Sequence, residues 1–413
     1  MKEISREQYL KELVSARGNK LIKVITGIRR SGKSYLLDPI FKNYLINDGI
    51  KENHIIKLDL DLIENSEYRN PMKLFNFVMD KIKDNDMYYV LLDEVQLVEN
   101  FEEVLNSFLK KTNLDVYVTG SNSKFLSSDI ITEFRGRSTE IKIYPLSFKE
   151  FVTLKDIDEN KAWKEYILYG GLSPVVLQEN EKQKREYLAS LFETTYLKDI
   201  IERNDIKRKD VLDRVVNILS SSVGSLTNPM NIYKTYTSTV DKDISINTIT
   251  SYIEHLENDF LIKKVERYDV KGRKYISTPF KYYFTDLGLR NVRLNFRQQE
   301  ENHLMENIIY NELLIRGYNI DVGVVETRNK DGRVYYEIDF VCNMASNRYY
   351  IQSALNIDTP EKNYQESRPL NAVGDNFKKI IVVRDDINLW HNEDGVLIIG
   401  IKEFLLNKNS LDL

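Results

Sequence analysis

The 413-residue chain predicts an α/β protein, its first third a parallel sheet with helices on both faces, followed by smaller domains. Three observations lead there. Short apolar runs alternate with stretches of helical spacing through residues 1–150. The chain is longer than one ordinary core uses, which suggests roughly two to four domains. Its 42% hydrophobic and 30% charged residues are ordinary for a chain that folds along most of its length.

The apolar runs of residues 1–150 are Leu21–Thr26, Ile55–Leu60, Tyr88–Leu92, Val116–Thr119 and Ile141–Tyr144. Strands covered on both faces read as such continuous runs. Pro71–Lys83 and Phe101–Lys111 carry helical spacing and supply crossovers between parallel strands. Residues 151–205 read as wholly helical with one break, Gly170-Gly171-Leu172-Ser173-Pro174. In 206–290, Asp210–Ser221 is helical, the turn Leu226-Thr227-Asn228-Pro229 follows, and two short helices come next. The second, Ile246–Asn258, opens at the N-cap Ser245. Phe260–Tyr268, the basic turn Lys271-Gly272-Arg273-Lys274 and Lys281–Phe284 complete a winged helix-turn-helix pattern. Residues 291–413 form another α/β unit: a helix His303–Ile315, strands near Asp321–Glu326, Tyr335–Asn343 and Arg348–Ser353, a further helix, then Lys379–Val383 and Val396–Ile401.

Charge and rare residues narrow the function classes. With 59 Lys and Arg against 63 Asp and Glu, net charge is −4, so any nucleic-acid-binding surface must be local. The lone Cys342 cannot form an internal disulfide and reads as a small buried hydrophobe. Four scattered His show no zinc-ligand spacing. The N-terminus lacks a signal-peptide core and no run approaches 18 apolar residues, so a cytoplasmic protein is expected.

The chemistry concentrates at Gly27-Ile28-Arg29-Arg30-Ser31-Gly32-Lys33-Ser34, which matches G-x-x-x-x-G-K-[ST] between an apolar run and an expected helix Tyr35–Asn47. Glycines let the backbone curl so that N–H groups face an anion, and the helix adds its positive end. These eight residues and Tyr35 are expected to line a site for ATP, with Lys33 on the β- and γ-phosphates and Ser34 ligating Mg2+. Met87–Leu92 ends in Asp93-Glu94: Asp93 would hold the metal through water and Glu94 would polarise the attacking water. Val116–Thr119 runs into Gly120-Ser121-Asn122, where Ser121 and Asn122 either sense the γ-phosphate or form an ordinary turn. Arg135 and Arg137 flank Gly136, and Arg137 is the candidate to stabilise charge on the transferred phosphoryl group, in cis or from a neighbouring subunit. Arg29 and Arg30 lie inside the loop and are expected to contact phosphate or a partner domain.

The ordered set Gly27–Ser34, Leu91-Leu92-Asp93-Glu94-Val95-Gln96, Thr119-Gly120-Ser121-Asn122-Ser123, Arg135-Gly136-Arg137, Tyr144-Pro145-Leu146-Ser147-Phe148, Tyr169-Gly170-Gly171 and Tyr196-Leu197-Lys198-Asp199-Ile200 resembles the bacterial and archaeal AAA-type ATPases with a C-terminal domain of unknown function. The resemblance implies an AAA core (1–150), a helical lid (151–205), a winged helix (206–290) and a restriction-endonuclease-like fold (291–413). Such endonuclease folds use a helix Glu, a strand Asp and a Glu-x-Lys on the next strand. Glu306 and Asp339 match, but Gln352 and Ala354 stand at the other two positions. A neutral amide surrenders a metal-binding charge, and no lysine remains to orient water. A structural or partner-binding use of the domain is therefore expected over cleavage.

Residues 206–290 hold 14 Lys and Arg against 10 Asp and Glu, with basic residues in the wing. That suits contact with DNA phosphates. Ile246–Asn258 carries no Lys or Arg, which suits packing instead. The expected function is ATP hydrolysis coupled to rearrangement of a partner: DNA through the wing, or a protein through the C-terminal domain. The alternatives are a nucleotide-gated scaffold with negligible turnover and, further off, a nuclease. Homo-oligomerisation is open.

Overall fold

β1 (Ile22–Thr26) and β3 (Tyr88–Asp93) are buried along their whole length, because each lies inside a sheet covered on both faces. The computed structural model describes residues 4–120, 134, 136–239, 244–297, 300–330 and 332–413. β2 (Ile55–Asp59), β4 (Leu114–Thr119) and β5 (Ser138–Lys142) complete a parallel sheet of order β2-β3-β4-β1-β5. Successive residues feed opposite cores, as strand geometry requires. Val90, Leu92, Val116 and Val118 join one cluster; Tyr89, Leu91, Tyr117 and Ile141 join the other. The helices Pro71–Lys81 and Phe101–Leu109 lie where helical spacing placed them.

The expected continuous helix Tyr35–Asn47 is broken. Lys33–Tyr35 begins a helical turn, Asp38 leaves helical geometry at φ −145° and ψ 121°, and Lys42–Asn47 resumes. Pro39 is the cause: it lacks a donor N–H, and its ring pushes the preceding residue to extended backbone.

The chain divides into two compact units, 1–145 and 146–413. In the second, a capping box between Ser147 and Glu150 starts the helix Phe148–Lys155. Three helices, Lys209–Ser221, Pro229–Thr239 and Ile246–Asn258, precede β6 (Ile262–Asp269) and β7 (Lys274–Phe284), in the order expected for 206–290. Ser245 does cap its helix, accepting from Thr248 N–H at 3.1 Å.

β6 and β7 share one sheet with the strands of the C-terminal segment. The sheet runs β12-β13-β11-β10-β9-β8-β6-β7. Here β8 is Asn319–Asn329, β9 Gly332–Met344, β10 Asn347–Ala354, β11 Lys378–Val383, β12 Trp390–His391 and β13 Leu397–Gly400. β6 pairs parallel with β8 through Arg267–Asp269 and Val322–Val324, so no break in the sheet marks position 290. The pairing satisfies backbone groups that a free ribbon edge would expose. Cys342 is buried in β9, and burial raises its thiol above the ordinary range.

Candidate functional site

The site is built at the carboxyl ends of β1, β3 and β4, which are neighbours although far apart in the chain. Open parallel sheets bind ligands at that edge. The loop after β1 needs left-handed backbone at Gly27 (φ 142°), Arg30 (φ 64°) and Gly32 (φ 95°). At Gly27 space is also decisive: a Cβ would stand 2.1 Å from the carbonyl oxygen of Ile143. Ile28 is buried, Arg29 half-buried, and Arg30, Ser34 and Tyr35 are exposed.

The Lys33 side chain folds back over the loop, and its ammonium donates to the carbonyls of Gly27 at 3.0 Å and Ile28 at 3.2 Å. Burial pushes its pKa down to about 8; Glu94 and Asp93 oppose the shift and Arg29 adds to it. The Ser31 hydroxyl is buried with no hydrogen-bond partner among the described residues. Arg6, 2% exposed, donates to the carbonyls of Ser31 at 3.4 Å and Tyr144 at 2.5 Å, and its guanidinium lies over the Tyr9 ring. The N-terminal segment thus braces the loop, a part that sequence reasoning missed; a lone Arg-x-x-Tyr gives no local signal of it.

Asp93 ends β3 and is buried; Ser34 donates a hydrogen bond to its carboxylate. Burial raises its pKa, the Thr119 and Ser34 hydroxyls oppose that, and Glu94 and Asp59 add to it. Thr119 ties the arrangement together. Its hydroxyl donates to the Asp93 carboxylate and accepts from the Glu94 N–H at 3.0 Å. Glu94 itself takes left-handed backbone, φ 55°, and its carboxylate accepts from the Gln96 amide. Ser34, Asp93, Glu94 and Lys33 therefore converge as the motifs required, with Thr119 and Gln96 as additional members.

Other candidates fall elsewhere. Ser121, Asn122 and Arg135 lie outside the described residues. Arg137 is described, exposed, and not at the loop of its own chain, which corrects the in-cis expectation. It precedes β5, and its carbonyl accepts from the N–H of Ile22 at the start of β1. β1 and β5 run parallel, Ile22 opposite Ser138, so Arg137 sits at the amino-terminal edge of the sheet while the loop leaves the carboxyl edge. His54, Asp84 and Asp86 bring ligand-type atoms within 4.8 Å of one another, also at the amino-terminal ends of their strands, with the His54 ring 3.2 Å from the Asp84 carboxylate.

Tyr169-Gly170-Gly171 has a structural use. Asp286 accepts from Gly171 N–H at 2.8 Å and from Leu289 N–H at 3.2 Å, capping the helix Leu287–Arg293. A Cβ at Gly171 would stand 2.3 Å from the Leu146 carbonyl oxygen. Burial pushes the Asp286 carboxyl up to about 6, against its backbone donors.

With this geometry in view, comparison with known proteins places the chain. Over 412 residues it is 36% identical to an uncharacterized protein of Haemophilus influenzae, covering 98% of each chain. The two belong to one family. An uncharacterized protein of Methanocaldococcus jannaschii is 26% identical over 410 residues, 93% of this chain and 86% of that one. Residues 19–152 match the model of an AAA domain, and residues 160–300 match a domain of unknown function. The phosphate loop, β3 and β4 all lie inside the AAA match, so the family carries an AAA-type P-loop domain. Among solved structures, the ADP form of the Aeropyrum pernix ORC2 protein is similar at 10% identity, covering 74% of this chain and 93% of that one, with a TM-score of 0.36. The Aeropyrum pernix ORC1 protein in complex with DNA is similar at 12% identity, 71% and 93% coverage and a TM-score of 0.30. At these scores the likeness decides nothing about nucleotide or DNA here. No described helix is long and apolar enough to cross a membrane.

Proposed function

We propose that the AAA domain binds ATP with Mg2+ and hydrolyses it, and that the rest of the chain uses the nucleotide state to rearrange a partner. The observation that carries this reading is the convergence of Lys33, Ser34, Asp93, Glu94 and Thr119 at one sheet edge. The residues fit the group. The Ser31 hydroxyl lacks a partner among the described residues, the Lys33 ammonium lies against the loop carbonyls, and a hydroxyl and a carboxylate stand together as Mg2+ ligands require. Ser34 and Asp93 would hold Mg2+, which supplies positive charge to the phosphates when bound. Lys33 exchanges the two loop carbonyls for phosphate oxygens. Glu94 accepts a proton from the attacking water as the bond between the γ-phosphorus and its bridging oxygen breaks, leaving ADP and phosphate. Gln96 holds that carboxylate, and Thr119 holds the Glu94 backbone N–H. Arg137, remote from its own loop, acts on the phosphates only from a neighbouring subunit.

Paired variants test this. Lys33→Ala should abolish nucleotide binding, while Glu94→Gln should keep binding and lower steady-state phosphate release by about a hundredfold or more. Undiminished turnover in Glu94→Gln refutes the water-activating role. Wild-type binding without turnover would favour a nucleotide-gated scaffold.

DNA is the partner favoured by one observation. The exposed turn at Lys271, Gly272, Arg273 and Lys274 borders a cleft of about 740 Å³ that Tyr268, Arg348 and Phe377 also line. Basic and aromatic groups in one cleft suit a phosphate backbone with stacked bases. Salt-sensitive gel-shift binding, lost when Lys271, Arg273 and Lys274 become Glu, is the expected result. Absence of binding at low salt leaves a protein partner for the second unit. A cytoplasmic location completes the proposal.

A further inference from the structure

The second unit contains a carboxylate centre that the nucleotide chemistry does not use. Glu306 comes from the helix Glu301–Ile315, and Glu337 and Asp339 from β9 at alternate positions, hence on one face. Glu306 and Asp339 are the two residues that matched an endonuclease-type metal centre. Among them lies a fourth residue with no place in that pattern. The ammonium of Lys281, on β7, stands 2.8 Å from Glu306, 2.9 Å from Glu337 and 3.2 Å from Asp339.

The ammonium donates hydrogen bonds to Glu306 and Asp339 and forms an ion pair with Glu337. Burial alone would lower its pKa, but Glu306, Asp339 and Glu337 outweigh that and raise it, so the group is charged. Tyr283 donates to the same Glu306 oxygen as Lys281, the His303 ring stands 3.9 Å from the other, and the backbone N–H of Ser353 donates to the second Asp339 oxygen at 2.9 Å. Gln352 turns its amide oxygen to the Asp339 N–H at 3.4 Å, and Ala354 offers no side-chain donor. A divalent ion needs oxygen ligands at about 2.0–2.6 Å around an open centre. The point where these carboxylates meet is filled by nitrogen, and the two positions that would complete a metal site are neutral. The residues present do not fit the metal.

We propose that Lys281 is a built-in cation standing where a divalent ion would be held, which makes the centre a metal-independent clasp fastening β7 to β9 and the helix Glu301–Ile315. The cation belongs to the ribbon, and two of its partners belong to β9, separated from β7 in the sheet by β6 and β8. The clasp thus locks the ribbon to the α/β layer. Taking away the ammonium leaves three clustered carboxylates with no cation among them, so the lock should be most sensitive to loss of Lys281.

The inference stands apart from the nucleotide reading, and so does its test. Mn2+ binding to the full-length chain without nucleotide is followed by electron paramagnetic resonance at up to roughly millimolar metal. Asp339→Asn should leave the wild-type titration unchanged. Lys281→Met should gain one Mn2+ per chain, lost again in Lys281→Met with Asp339→Asn, and Mn2+ should raise the Tm of Lys281→Met but not of wild type. Three results overturn the proposal: a wild-type Mn2+ site removed by Asp339→Asn, plasmid nicking by wild type with Mn2+ that Asp339→Asn abolishes, or a folded Lys281→Met that gains no metal. If Lys281→Met does not fold, the wild-type comparison with Asp339→Asn, which leaves Lys281 in place, still decides.

Discussion

Replacing Thr119 by Val keeps the side-chain volume and removes one hydroxyl from a fully buried position. That hydroxyl donates to the Asp93 carboxylate and accepts from the Glu94 N–H. A hydrogen bond to a charged group contributes about 1.5–3 kcal/mol, and an orphaned buried donor costs about 1–3 kcal/mol. Thr119→Val should therefore destabilise the first unit by roughly 3–5 kcal/mol. Thr119→Ser keeps the hydroxyl and loses one methyl group, so it should cost only about 1 kcal/mol. The composition supplies the assay. Both tryptophans, Trp163 and Trp390, lie in residues 146–413, so Trp fluorescence in urea reports the second unit. Far-UV circular dichroism reports the whole chain, and the loss should appear there as an earlier transition. Asp93 also loses a donor that holds it ionised, so Mg2+-dependent nucleotide binding should weaken in Thr119→Val and recover in Thr119→Ser. Two results refute the reasoning: Thr119→Val within about 0.5 kcal/mol of wild type, or Thr119→Ser as damaging as Thr119→Val.

Gln96→Leu removes the amide that holds Glu94 and should lower kcat about tenfold with nucleotide affinity unchanged; single-turnover kinetics and a binding titration separate the two. Gly171→Ala drives a Cβ into the Leu146 carbonyl and should destabilise the second unit by about 1–3 kcal/mol or more, read from the Trp transition. Asp286 gives a pH signature. Its carboxyl is raised from the ordinary 3.8 to about 6, so the fold holds the proton more tightly than the unfolded chain does. That contribution is fully present below pH 4 and is lost as pH rises through 6. The stability advantage of wild type over Asp286→Asn should accordingly shrink by roughly 2 kcal/mol between pH 4 and pH 7. A pH-independent difference would contradict the assignment.

The amino-acid sequence by itself determined the phosphate loop, the acidic end of β3 and the parallel α/β core. Each of these is local: eight consecutive residues that must curl, a carboxylate pair that ends a buried run, apolar runs whose length fits a doubly covered strand. Tertiary structure decided how they are held. Thr119 reaches Asp93 because β4 lies beside β3, and Arg6 reaches the loop from outside the motif. Arg137 faces the other edge because β5 runs parallel to β1. Pro39 was visible as a helix breaker, yet apolar spacing ran through it and hid the break. Most telling is Lys281, which reads as one more basic residue of a ribbon until β7, β9 and the helix Glu301–Ile315 fold together. Sequence patterns report what neighbours in the chain require of each other. A cation's partners are set by which strands share a sheet, and that is decided only by the packing of the whole unit.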